Sequence, residues 1–352
     1  MIVVWRITER CNLACPFCAY DRTLPRGRRT MDATAARGIV ARLAEYQETT
    51  GDPVLLSWLG GEPLLWPEFE DLSREAVARG LRLSVTTNGT LLTRPAIRTL
   101  LGTLFAEVTV SVDGLAPTHD RLRGWPGGFD VLAKSVRALA DEKRQRGQGP
   151  KLRVNTVLMH STWREFSALC EAVADWGVEE ITFNQLGGND RPEFYPAHRL
   201  TPEDVEGWAA ALPGVRERAR GRGLEVVGGD AYLRRLRATS RGLALPVEDC
   251  GPGERFWFID ERGRVAPCSF TVEGYGVPLA DLASVEAWRE LPERFSQARA
   301  RRRLASCADC HSTQVCEKFA ARRAESGVSG AGLTPEQAVP FPSVMVEPCP
   351  AG

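Results

Sequence analysis

Cys11-Asn-Leu-Ala-Cys15-Pro-Phe-Cys18 follows directly on a short strand-like run, Ile2 to Ile7. Three cysteines in a Cys-x3-Cys-x2-Cys array on one loop are placed to wrap a single metal centre. Iron–sulfur clusters are held by cysteine thiolates, usually four of them. Three local ligands leave one iron with an open coordination position. A cluster needs that opening if it is to bind and reduce a small molecule directly. A tetrahedral zinc site completed by a distant residue is the alternative. The spacing is not that of a zinc-ribbon pair, however, and an aromatic residue, Phe17, precedes the third cysteine.

From this loop to about residue 186 the chain alternates strand-like and helix-like stretches. The strand candidates are 2–7, 54–59, 81–86, 107–112, 152–158 and 180–185, each short and rich in Val, Ile, Leu or Thr. Asp32 stands where it caps a helix with an apolar stripe of Ile39, Val40, Leu43 and Tyr46. A second helical pattern, Trp163 to Trp176, carries Phe166, Leu169, Cys170 and Val173 on one face, which makes Cys170 a core residue. This succession of β/α units predicts a parallel sheet with helices packed outside it. Parallel α/β sheets bind ligands at the carboxyl ends of their strands, so the strand ends are where chemistry is expected.

Strand one ends at the cysteine loop and strand two at Gly60-Gly61-Glu62-Pro63. Adjacent glycines let the backbone approach a ligand closely, and Glu62 or backbone carbonyls can accept from an ammonium; a plain turn is the alternative. Strand three ends at Thr86-Thr87-Asn88-Gly89-Thr90, also a strong turn signal. Strand four runs into Ser111-Val112-Asp113-Gly114, with His119, Asp120 and Arg123 beyond; His119 and Asp120 either touch a ligand or brace that loop. Alternation puts some of Asn155, Asn184 and Gln185 at the mouth of the sheet, as ligand contacts or as polar caps of buried strands.

Cys11, Cys15, Phe17 and Cys18 resemble the signature of the radical S-adenosylmethionine (SAM) superfamily, Cys-x3-Cys-x-aromatic-Cys. The resemblance implies an α/β fold, a partial (β/α)6 TIM-like barrel. It implies a [4Fe–4S] cluster on the three cysteines, with SAM chelating the fourth iron. One electron then cleaves SAM to methionine and a 5′-deoxyadenosyl radical, which takes a hydrogen atom from the substrate. Gly60, Gly61, Glu62 and Pro63 match the family's Gly-Gly-Glu-Pro motif, which contacts the SAM amino group. Asn88 matches a Thr-Asn-Gly that faces the SAM pocket. By the same likeness Ser111 bonds a ribose hydroxyl and Arg123 pairs with the SAM carboxylate through its planar fork. Phe17, Asp113 and Asn155 complete the implied cofactor set.

Residues 187–200 break the pattern with glycine, proline and mixed polar residues, a loop at the barrel's exit. Asp190, Arg191, Tyr195 and His198 are candidates there for touching substrate, although the composition is that of an ordinary solvated loop. Thr201-Pro-Glu-Asp opens a helix with good N-terminal chemistry. The cysteines return at Cys250 and Cys268, on either side of a predicted hairpin of 256–259 and 265–269. Cys307, Cys310, Cys316 and Cys349 follow. This resembles the SPASM extension of radical SAM enzymes, a smaller cysteine-rich α+β domain with auxiliary iron–sulfur clusters. The organisation read from the chain is thus a barrel over 1–186, a connector over 187–240 and a SPASM-like region over 241–352.

The SPASM pattern is incomplete. Ala320 stands where a further cysteine is expected, and residues 251–256 lack another. By the family's assignment Cys307, Cys310, Cys316 and Cys349 complete one auxiliary [4Fe–4S] cluster, leaving Cys250 and Cys268 with two ligands only. Alternatively the six thiolates regroup around one cluster, or hold zinc. The basic run Arg299, Arg301, Arg302 and Arg303 reads as a solvated helix face, with phosphate or acidic-peptide binding as the alternative.

The chain has 352 residues, 43% hydrophobic and 26% charged, ordinary for a globular protein. Lysine plus arginine and aspartate plus glutamate stand at 45 each, so nothing drives it globally toward nucleic acid or acidic membrane. No apolar run reaches membrane-spanning length, and the N-terminus has no signal-peptide pattern. Clustered cysteines and no export signal point to a reducing, cytoplasmic setting. An external electron donor of flavodoxin or ferredoxin type is implied. The chain starts on the first barrel strand, which favours oxidation of a small molecule such as a sugar; modification of a ribosomal peptide or protein side chain, by crosslinking, oxidation or epimerisation, is the other reading. A non-catalytic metal-binding scaffold is the alternative outside enzymes.

Overall fold

The computed structural model describes residues 1–188 and 190–313. Its first strand, β1 (Ile2–Thr8), is buried at every position. Val3, Trp5 and Ile7 pack outward against Ile39, Val40 and Leu43 of the helix Ala33–Thr50, while Ile2 and Val4 face inward toward Leu59 and Phe258. Covering on both faces is why β1, Ile2-Val-Val-Trp-Arg-Ile-Thr8, reads as a near-continuous apolar run. Asp32 caps that helix by accepting from the Ala35 amide, and Gly51 ends it at φ 73°.

Five parallel strands follow in order: β2 (Leu55–Gly60), β3 (Arg82–Thr87), β4 (Glu107–Ser111), β5 (Lys151–Leu158) and β6 (Glu180–Gln185). All six expected strands are present, with bounds within one residue. Both edges of the sheet are extended. β7 (Glu225–Val227) lies parallel on β6. β8 (Phe256–Ile259) lies parallel on β1, and β9 (Arg264–Ala266) and β10 (Val277–Pro278) continue antiparallel beyond it. The hairpin expected at 256–269 is therefore joined to the barrel sheet, giving the order β10-β9-β8-β1-β2-β3-β4-β5-β6-β7. A buried ion pair, Arg6 Nε to Glu261 Oε2 at 2.7 Å, pins the hairpin turn to β1. Cys170 is 2% exposed on its helix's core face, as the stripe predicts. Thr201 and Asp204 form a capping box at the head of the helix Pro202–Arg220. No described helix is long and apolar enough to cross a membrane.

Candidate functional site

The register of β1 on β2 shifts between Arg6 and Thr8, and the cysteine loop leaves the sheet there. The loop folds on itself: the Cys18 amide donates to the Cys15 carbonyl at 3.0 Å and the Arg22 amide to Leu13 at 3.0 Å. Backbone amides also point at sulfur, Leu13 N to Cys11 Sγ at 3.5 Å and Tyr20 N to Cys18 Sγ at 3.4 Å. Arg28 clips the loop shut, donating to the carbonyls of Glu9 and Tyr20 at 3.1 Å each and also to that of Asp21. Burial pushes the Cys15 thiol up to about 11 and Cys18 well above the ordinary thiol value, with Arg123 opposing at Cys15. Such thiols ionise only when a metal takes the proton's place. Three of them on one loop, with amides aimed at sulfur, fit an iron–sulfur cluster with one open corner.

The two glycines ending β2 serve this loop first. A Cβ on Gly60 would lie 2.5 Å from the Thr8 carbonyl oxygen, and one on Gly61 would lie 2.4 Å from that of Arg10. Their close approach is to the backbone of residues 8–10, sealed by Gly61 N to Thr8 O at 2.7 Å and Glu62 N to Arg10 O at 2.8 Å. Gly61→Ala should push the loop off the sheet and lower iron content at unchanged total protein. The obstacles are backbone atoms that cannot rotate away, so overpacking of about 1–3 kcal/mol is expected. Iron assay and a melting curve on the purified variant check this.

Glu62 is fully buried and its carboxylate faces into the wall. It accepts from Thr87 Oγ1 at 2.7 Å, the Asn88 amide at 2.7 Å and the Leu64 amide at 3.2 Å. Burial pushes its carboxyl up to about 7 against those three donors. Glu62 thus ties the end of β2 to the end of β3. Asn88, held there, donates to Asn12 Oδ1 at 2.9 Å and reaches Cys11 Sγ at 3.7 Å.

Asp113 is likewise behind the wall. Its Oδ1 accepts from the Val157 amide at 2.8 Å and its Oδ2 meets Arg123 Nη2 at 2.6 Å. The Arg123 guanidinium also lies over the Phe17 ring, 5.5 Å from its centroid. His119 accepts from the Asp113 amide at 3.2 Å and burial depresses it to about 3, so it is a neutral brace. Asp120 holds the following turn through the Gly127 and Phe129 amides.

One solvent-open cleft of about 880 Å³ collects Cys11, Cys15, Phe17, Cys18, Gly60, Gly61, Asn88, Ser111, Arg123 and Asn155, with Asn184 and Gln185. Glu62, Pro63 and Asp113 do not line it. Asn184 donates to Asn155 Oδ1 at 2.8 Å, so the ends of β5 and β6 are coupled. Asp190 also lines the cleft, contrary to the expectation of an ordinary solvated loop. Burial raises it to about 8, with Arg26 and Arg6 opposing. Arg191, by contrast, pairs with Asp21 and Glu193, while His198 stacks on Phe194. Leu13, Val157 and Leu186 complete the apolar lining, without a motif to mark them.

A second cavity, about 560 Å³, is bordered by Cys250, Cys268, Cys307 and Cys310. The structure brings Cys250 and Cys268 together with the Cys-x2-Cys pair; Cys316, Ala320 and Cys349 lie outside the described residues. Burial pushes Cys268 up to about 12, while Thr271 Oγ1 stands 3.3 Å from its sulfur. The Tyr275 hydroxyl lies 3.9 Å from Cys307 Sγ. Arg299 does not lie on a solvated face: it borders this cavity and donates to the Val247 carbonyl at 2.5 Å. Gln185, at the edge of the first cavity, bonds His311 Nδ1 at 3.1 Å, one residue from Cys310. Among the described residues no three His, Cys, Asp or Glu side chains converge on a single metal ion; a cluster, which takes each thiolate on a different iron, needs no such convergence.

Comparison with known proteins agrees with this geometry. Residues 5–173 match the family model of the radical SAM superfamily. The chain is 27% identical over 346 residues to an AdoMet-dependent heme synthase of Methanosarcina barkeri, covering 91% of each protein. It is 25% identical over 280 residues to the PqqA peptide cyclase of Xanthomonas axonopodis, covering 77% of this chain and 69% of that protein. Among solved structures, Streptococcus suis SuiB bound to its precursor peptide SuiA superposes with a TM-score of 0.64 at 16% identity, over 88% of this chain and 69% of that one, a likeness of fold. The likeness to the radical SAM superfamily thus covers residues 5–173, the part of the chain that carries the cysteine loop and strands β2 to β5.

Proposed function

We propose that this chain is a radical SAM enzyme that oxidises or crosslinks a peptide, using SAM at the first cavity and one auxiliary iron–sulfur cluster at the second. The observation that carries the reading is the single cleft in which the three loop cysteines meet the ends of strands β2 to β6. Cys11, Cys15 and Cys18 would hold a cluster that supplies the electron for reductive cleavage of SAM. Arg123 is charged, partly buried beside the loop and oriented by Asp113, so it is suited to the SAM carboxylate. The backbone at Gly60 and Gly61 is suited to the amino group. Ser111 and Asn155 offer hydrogen bonds to the nucleoside half, and Phe17 and Asn88 hold the loop's shape. Glu62, Pro63 and Asp113 act from behind the wall as positioning residues.

For the auxiliary site we favour Cys250, Cys268, Cys307 and Cys310 as the ligand set, because all four border one cavity. This is the regrouped alternative; the partition that joins Cys307 and Cys310 to Cys316 and Cys349 involves two cysteines outside the described residues. Within this reading 1–186 is the barrel, 187–240 the connector and 241–352 a SPASM-like region. The Gln185–His311 bond supports a substrate lying between the cavities. Cys268→Ala should remove about four irons per chain while 5′-deoxyadenosine formation persists. Loss of those irons from Cys349→Ala, with Cys268→Ala unaffected, would restore the other partition.

The expectation of a small-molecule substrate rested on where the chain starts. The match to the PqqA peptide cyclase favours a peptide instead. The heme synthase match, which spans most of both proteins, keeps a tetrapyrrole-sized molecule as the second reading. Reconstituted protein with SAM and dithionite tests the two. Faster 5′-deoxyadenosine formation with a precursor peptide, and not with a porphyrin, supports the first; the reverse supports the second. A chain that makes none, with its iron intact, is a scaffold and not an enzyme.

A further inference from the structure

The residues flanking the cysteine loop carry uneven charge. Between residues 9 and 30 the chain has five arginines, Arg10, Arg22, Arg26, Arg28 and Arg29, against two acids, Glu9 and Asp21, in a chain whose charges balance as a whole. Both acids are buried. Glu9 accepts from Arg26 Nη2 at 3.3 Å and from the Arg29 amide at 2.9 Å. Asp21 accepts from Thr23 and, at 3.1 Å, from Arg191, which also carries the exposed Glu193. Asp32, just beyond, is committed to its helix cap. Arg28 is spent on the loop's carbonyls. Arg10, Arg22 and Arg29 are exposed, and among the described residues their side chains have no ion-pair partner.

The backbone ties these three cations to the loop. Arg10 precedes Cys11 directly. The Arg22 amide bonds the Leu13 carbonyl, between Cys11 and Cys15, at 3.0 Å. The Glu9 amide bonds the Arg29 carbonyl at 2.8 Å. Cys11 and Cys18 are only partly buried. A partner arriving at this face therefore meets unpaired positive charge a few residues from the thiols. Such a field steers an acidic surface and orients it on arrival.

We infer that Arg10, Arg22 and Arg29 form the docking face for an acidic one-electron carrier protein of flavodoxin or ferredoxin type. The inference rests on the radical SAM reading. The carrier loses one electron, the cluster held by the adjacent loop gains it, and no bond or proton changes hands.

The test compares two reductants on the reconstituted full chain, reading the initial rate of 5′-deoxyadenosine formation. Arg10→Gln, Arg22→Gln and Arg29→Gln together should slow the reaction driven by limiting reduced flavodoxin on the order of tenfold at low salt. The dithionite-driven rate, which needs no docking, should stay at the wild-type value. The wild-type flavodoxin rate should fall as salt shortens the Debye length to about 8 Å, and the variant's should fall less. A variant that keeps the wild-type flavodoxin rate overturns the docking face. Equal losses with both reductants overturn it too, because the arginines would then act on the site or on substrate. No product from the wild type with either reductant overturns the radical SAM reading itself.

Discussion

Cys15→Ala should form no detectable 5′-deoxyadenosine and should lose about four irons per chain relative to wild type. Cys15 is the most buried of the three loop cysteines at 5% exposure, and its sulfur lies 3.9 Å from the Arg123 carbonyl, between loop and wall. Among the described residues no fourth cysteine borders that cleft, so none of them can take over the ligand position. A cluster with two protein thiolates has no way to keep a single open corner. The loss should therefore be all-or-none in activity, with the irons of the auxiliary site retained. Anaerobic reconstitution, iron and sulfide assay and chromatographic detection of 5′-deoxyadenosine decide it. A Cys15→Ala protein that still cleaves SAM refutes the ligand assignment.

Arg123→Met should be the most damaging change outside the cysteines. Asp113 is fully buried, and one of its oxygens is committed to the Val157 amide while the other faces Arg123 at 2.6 Å. Removing the cation leaves a buried carboxylate without its counter-charge, a loss of about 3–5 kcal/mol. The same substitution removes the positive charge beside Phe17 and the loop, so SAM affinity should fall together with melting temperature. Arg123→Lys keeps the charge without the fork and should recover part of the stability but less of the affinity. Calorimetric SAM binding and thermal melts on the two variants separate these effects. A Met variant that melts with wild type but loses SAM would mean that the ion pair contributes nothing to the fold.

The barrel was legible because short stretches rich in Val, Ile, Leu and Thr recur between helical patterns: β1 and β2 are nearly continuous apolar runs, while β3, β4 and β6 alternate apolar with polar residues. The helix stripe at Ile39, Val40, Leu43 and Tyr46 and the cap at Asp32 followed from periodicity and local chemistry. The pairing of β8 with β1 was not legible. It joins residues about 250 positions apart, and a parallel edge leaves no local mark. Alternation also says nothing about side chains beyond a strand's end, which is why Glu62 was expected to face a ligand and instead bonds Thr87 and Asn88. Asp190 sits in a stretch with a solvated composition; it lines the cleft within the electrostatic reach of Arg6 and Arg26, which are distant in sequence. For the same reason the spacing of the later cysteines left their grouping open, while the fold sets Cys250 and Cys268 beside Cys307 and Cys310.

The most direct measurement is the electron paramagnetic resonance spectrum of the dithionite-reduced, reconstituted protein with and without SAM. Binding at an open iron corner on the Cys11–Cys15–Cys18 loop should shift one cluster's signal in the wild type, and that SAM-sensitive signal should be missing from Cys15→Ala. A wild-type spectrum that saturating SAM leaves unchanged would contradict the account.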